Sequence, residues 1–129
     1  MKLILEVTDT ISMSHRLTSF PDGHKCHNNH GHNAKILLRV SCDSTLLRKD
    51  GTIIDHALLK EVWRKYDHAG ELNSLEPFYS QNIVPTVENI VLILHDQLEK
   101  VLENYNPQAT IELFKWWETD DAAVEIRAE

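Results

Sequence analysis

Two cysteines, four glycines and four prolines in 129 residues leave little of what specialised small folds are built from. Two thiols, Cys26 and Cys42, make no disulfide framework, so a reducing cytoplasm is the simplest expected home. Basic residues are also scarce. Thirteen Lys and Arg stand against twenty Asp and Glu, a formal charge of −7, which argues against a general nucleic-acid or anionic-membrane partner. A small anionic molecule held by a few local cations stays possible on that balance. No apolar run approaches the roughly 20 residues a membrane span needs, and Met1–Val7 alternates like a strand rather than a signal peptide. Low-complexity segments and internal repeats are absent, and the length suits one domain, 1–129, with a real core.

What the sequence has in excess is histidine. There are eight, and four of them (His24, His27, His30 and His32) fall within nine residues, with His15 upstream and Cys26 among them. Imidazole and thiol both bind zinc and both transfer protons near neutral pH. His30 and His32 lead into an apolar run through Val40 that reads as a strand, so the two rings share a face roughly 6–7 Å apart along the backbone.

The remaining pattern gives an order of elements. Residues 2–14 alternate as a first strand, with a bulge expected at Thr8-Asp9-Thr10, and residues 32–42 form a second. Lys49-Asp50-Gly51 predicts a hairpin-like turn into a short Thr52–Ile54 strand. Asp55 caps a first helix with Leu58, Leu59, Val62, Trp63 and Tyr66 on its apolar stripe. Residues 69–84 form a loop. Pro85-Thr86 opens a second helix, with Thr86 as N-cap and Glu88 in its first turn. Two closing strands, 110–117 and 123–126, follow. The expected fold class is α+β: β-β-α-α-β-β, a four-stranded antiparallel sheet with both helices on one face. The other face must be solvated or packed on another subunit.

If the first two strands pair, His15 joins His30 and His32 as three ligands, which suits a catalytic zinc that keeps one open position. Cys26 is then either a fourth, closing ligand or a free thiol suited to act as a base. Asp67-His68 is an acid–imidazole pair able to move protons. Glu118, after an apolar strand, offers a carboxylate to a nitrogen-rich ring with paired N–H groups. Cys42, mid-strand, reads as a buried inert thiol.

With these residues in view the sequence resembles the 6-pyruvoyltetrahydropterin synthase and 6-carboxytetrahydropterin synthase family over nearly its whole length. The motifs are Ser14-His15-Arg16, Gly23-His24-Lys25-Cys26 with His30-Gly31-His32, Asp67-His68 with Leu72-Asn73, Pro85-Thr86-Val87-Glu88-Asn89, and Glu118-Thr119. The resemblance implies a tunnelling fold in which trimeric barrels stack into a homohexamer, with active sites between subunits. It implies 7,8-dihydroneopterin triphosphate as substrate and Zn²⁺ on His15, His30 and His32. Cys26, Asp67 and His68 take the catalytic roles, and Thr86, Glu88 and Glu118 bind the substrate. Arg16 and Lys25 are the nearest cations for the triphosphate. Three residues between Cys26 and His30 resemble the bacterial 6-carboxy enzymes of queuosine biosynthesis, which also release acetaldehyde; the alternatives are the pyruvoyl reaction and a non-catalytic zinc- or pterin-binding relative. The Asp55-to-Asp67 interval is shorter than the family's by about one helical turn, roughly four residues, which keeps the helix face in register.

Overall fold

A computed structural model describes residues 1–129. Strand β1 (Lys2–His15) turns back through a loop into β2 (His30–Asp43), α1 (His56–Arg64) and α2 (Val87–Tyr105) follow, and β3 (Thr110–Thr119) and β4 (Ala122–Arg127) come last. The four strands lie antiparallel in sequential order, leaving β1 and β4 at the two edges. This is the α+β arrangement expected from the periodicities. No helix is long and apolar enough to cross a membrane.

The core lies between the helices and one sheet face. Val7, Ile11 and Met13 of β1, Ala34 to Val40 at alternate positions of β2, and Phe114 and Trp116 of β3 meet Leu59, Val62 and Trp63 of α1 and Ile90, Leu94 and Leu98 of α2. Burial of apolar surface drives this, at roughly 25 cal/mol per Å² removed from water. The caps are those foreseen: the Asp55 carboxylate accepts from the Ala57 N–H and the Thr86 hydroxyl from the Asn89 N–H. The opposite face carries charge and aromatic cover instead, with Arg39 on Glu6 at 2.8 Å and the Lys115 ammonium 4.5 Å from the Trp117 ring centroid.

Two local expectations change. The β1–β2 ladder runs without a break from Lys2↔Asp43 to His15↔His30, so there is no bulge at Thr8–Thr10. Asp9 keeps its inward place because its carboxylate accepts from Trp63 Nε1 at 2.8 Å and from Arg64 at 2.9 and 3.0 Å. The bulges lie elsewhere, at Arg39/Val40 and between Trp117 and Thr119. The Thr52–Ile54 segment follows its turn but pairs with no strand; Ile53 and Ile54 are buried in irregular backbone. Helix α1 spans nine residues and ends at Arg64, with Tyr66 still buried just beyond it.

Candidate metal and substrate site

The first hairpin builds the site's centre. His15, the last residue of β1, pairs with His30, the first of β2, while His32 sits opposite Met13. All three project from the helix-covered face, beyond the end of the apolar core. Their ring centroids are 4.6, 5.1 and 4.8 Å apart. A carbonyl oxygen can only accept, which fixes two tautomers. His15 Nδ1 donates to the Pro85 carbonyl at 2.7 Å, and His30 Nδ1 donates to that of Asn28 at 2.8 Å. Nε2 is thereby left as the free ligand atom on each ring, oriented by its backbone partner as metal-binding imidazoles are.

A fourth group joins them. Glu118 stands at the bulge between Trp117 and Thr119, with its carboxylate in the cluster. Its Oε1 is 3.1 Å from His15 Nε2 and 3.0 Å from His32 Nε2. Neither contact has the direction of a hydrogen bond, so both buried Nε2 atoms lack a hydrogen-bonding partner. One ligand atom from each of His15, His30, His32 and Glu118 lies within 4.8 Å of the others. The close His15 ring holds the Glu118 carboxyl below its ordinary range against burial, with the other imidazoles assisting. Burial depresses the His32 imidazole, and His15 and His30 add to this against the pull of Glu118. Buried imidazole nitrogens without a hydrogen-bonding partner, converging with a carboxylate oxygen, make a set of donor atoms suited to a cation between them. The donor set fits zinc, which takes imidazole and carboxylate ligands.

The cluster opens onto a cavity of about 700 Å³, whose walls include Lys25, Cys26, Thr86, Glu88 and the Ala122–Val124 edge of β4. Cys26 is half-buried on the wall of this cavity and is not among the four clustered ligand groups. The loop carrying it is folded on itself: the Leu17 N–H donates to the Cys26 carbonyl at 2.8 Å, and the Cys26 N–H donates to His24 Nδ1 at 3.1 Å. Phe20 stacks on His24, and His27 Nδ1 donates to the Phe20 carbonyl. His24 and His27 thus brace the loop. Arg16 faces away, paired with Glu71 at 3.4 Å beside a separate cleft.

Asp67 and His68 are not brought to this cavity. The Asp67 carboxylate accepts from the Ser12 N–H at 2.9 Å, and the His68 N–H donates to the Ser12 carbonyl at 2.6 Å, which pins the pair to the β1 edge. The His68 side chain is 81% exposed, with Nε2 3.7 Å from Asp67 Oδ1. It borders a smaller hollow with Ser12, Gly31 and His32, behind the metal cluster.

Sequence reasoning treats Glu118 as a ring anchor and misses its contact with the histidines. The alternation Phe114, Trp116, Glu118 carries it on the core face, but only the β2–β3 register brings it to His32.

An antiparallel four-stranded sheet with two helices on one face and three histidines at the end of its first hairpin defines a tunnelling-fold protein with a candidate metal centre. Residues 4–129 match the family model described as 6-pyruvoyl tetrahydropterin synthase, and the chain belongs to that family, whose enzymes are lyases. Among solved structures it is similar to the Caenorhabditis elegans 6-pyruvoyl tetrahydropterin synthase, at 24% identity and a TM-score of 0.74, covering 99% of this chain and 96% of that one. An uncharacterised Wolinella succinogenes protein matches at 17% identity and a TM-score of 0.64, with 98% and 99% covered. A Plasmodium vivax 6-pyruvoyltetrahydropterin synthase carrying a catalytic-residue substitution matches at 19% and 0.63, with 99% and 98% covered. No curated protein matches this sequence.

Proposed function

We propose that this protein is a cytoplasmic, zinc-dependent 6-carboxytetrahydropterin synthase of queuosine biosynthesis. It converts 7,8-dihydroneopterin triphosphate and water to 6-carboxy-5,6,7,8-tetrahydropterin, acetaldehyde and triphosphate. The observation that carries this reading is the cavity shared by a free thiol, His30 and His32 of the histidine cluster, and the Thr86, Glu88 and Glu118 groups. The three-residue gap between Cys26 and His30 supports the carboxy product over the pyruvoyl one.

On this reading His15, His30 and His32 hold zinc, which supplies Lewis-acid polarisation of the hydroxyls on the substrate's side arm. The Cys26 thiolate accepts the proton from the activated C–H bond of that arm. Glu118 and Thr86 take the ring's paired N–H groups, Glu88 lies beside them, and Lys25 is the cation nearest the triphosphate. Asp67 and His68 carry protons from a neighbouring subunit, because they lie outside the cavity of their own protomer. The working form is therefore an oligomer, a trimer or the hexamer of two stacked trimers.

The test is incubation of the zinc-loaded protein with 7,8-dihydroneopterin triphosphate, with acetaldehyde, triphosphate and pterin products quantified. Acetaldehyde and triphosphate are expected together. A pyruvoyl product without acetaldehyde would move the assignment to the sibling reaction. Cys26→Ala should abolish turnover while retaining zinc; metal loss with unfolding in that variant would instead make Cys26 a structural ligand.

A further inference from the structure

The Glu118 carboxylate needs an explanation that ring anchoring does not supply. Here one oxygen lies 3.1 and 3.0 Å from two buried imidazole nitrogens that have no hydrogen-bonding partner. The bond from His15 Nδ1 to the Pro85 carbonyl orients the ring so that Nε2 faces Glu118. Four ligands at about 2.05 Å around a tetrahedral ion stand roughly 3.3 Å apart, and the His15–Glu118–His32 separations approach that value. The Glu118 side chain is still 26% exposed, on the wall of the cavity where the ring would sit.

We infer that Glu118 is an exchangeable fourth metal ligand. Without substrate it closes the coordination shell with His15, His30 and His32; when a ring with paired N–H groups enters, the carboxylate leaves the metal for the ring and opens the fourth position. One residue thereby couples recognition of the ring to opening of the metal. This rests on the pterin reading of the cavity for the identity of the ring, but not for the ligand role.

Metal binding tests it without turnover. Zn²⁺ affinity is measured by chelator competition on metal-free wild type, Glu118→Gln and Glu118→Asp, and Co²⁺ visible spectra are recorded on each. Glu118→Gln should weaken Zn²⁺ binding at least about tenfold and shift the Co²⁺ bands, with Glu118→Asp between it and wild type. At saturating 7,8-dihydroneopterin the affinity gap between wild type and Glu118→Gln should close to within about twofold, because the carboxylate no longer touches metal in either protein. Wild-type affinity and spectrum in Glu118→Gln would overturn the ligand role. A gap that persists with the pterin bound would overturn the exchange. If Glu118→Gln does not fold, the shortened carboxylate of Glu118→Asp carries the same comparison, since it must still weaken binding and move the bands. A gap in a protein that shows no turnover supports the ligand role while the proposed reaction fails; turnover with no gap does the reverse.

Discussion

Asp9 shows how a single carboxylate shapes this fold. It interrupts the apolar alternation Val7, Ile11, Met13, yet the strand stays regular because Trp63 Nε1 and the Arg64 guanidinium converge on it. Removing it strands the Trp63 N–H in the core and frees the Arg64 charge. Asp9→Ala is therefore expected to cost about 2 kcal/mol in urea unfolding. Burial alone would raise this carboxyl; the hydrogen bonds from Trp63 and Arg64 overcome that and hold it below 3.8. A depressed folded value means the contribution is complete above the unfolded pKa and lost as pH falls through the folded one. The stability gap between wild type and Asp9→Ala should thus be constant at neutral pH and narrow as pH falls below about 3.8; a gap that widens on acidification would contradict the assignment. Nothing near Asp9 in sequence announces this. Its partners lie 54 and 55 residues away, so a bulge is the natural local reading. The three histidines are legible for the opposite reason: strand period and hairpin pairing are local rules, and they alone bring His15 onto His30 and His32.

At the scale of elements, the order β-β-α-α-β-β follows from period and capping, both carried within each segment. What joins the elements does not. Asn106, 4% exposed at the end of α2, donates through Nδ2 to the Ile53 carbonyl at 2.9 Å and accepts the Gln108 N–H on its Oδ1 at 3.1 Å. It ties the α2–β3 turn to the irregular Thr52–Ile54 segment, whose backbone has no ladder to satisfy it. Nothing local to Asn106 in the sequence points to this tie, because Ile53 lies 53 residues away. Asn106→Ala orphans a buried carbonyl and an N–H, so a loss of about 2–3 kcal/mol is expected, visible as a lowered Tm. Asp55→Ala, by contrast, removes one exposed cap and should cost only about 1 kcal/mol. Similar losses in the two variants would refute the distinction between a surface cap and a buried tie.

At the scale of the whole molecule, the sequential sheet ends in two edge strands, and on the proposed function each carries half of a site. Along β1, Asp67 and His68 are fastened to Ser12, with the His68 imidazole exposed. At β4, residues Ala122–Val124 line the cavity that also holds Cys26, His30 and His32. Unpaired edges favour pairing with another copy. In the proposed oligomer, a β1 edge docked on a neighbour's β4 edge would carry His68 of one protomer toward Cys26 of the next, and repetition would close a ring. Complementation follows from this. Cys26→Ala and His68→Ala should each be inactive as pure oligomers, since every site in either lacks one group. Co-expressed in equal amounts, they form mixed rings in which about a quarter of the interfaces join an intact Cys26 to an intact His68, given random closed assembly. Turnover near a quarter of wild type is the expected result, with size-exclusion light scattering confirming that both variants assemble. If the mixture stays as inactive as its parents while assembling normally, the two groups serve the same protomer's site, and the interface origin of the proton relay fails.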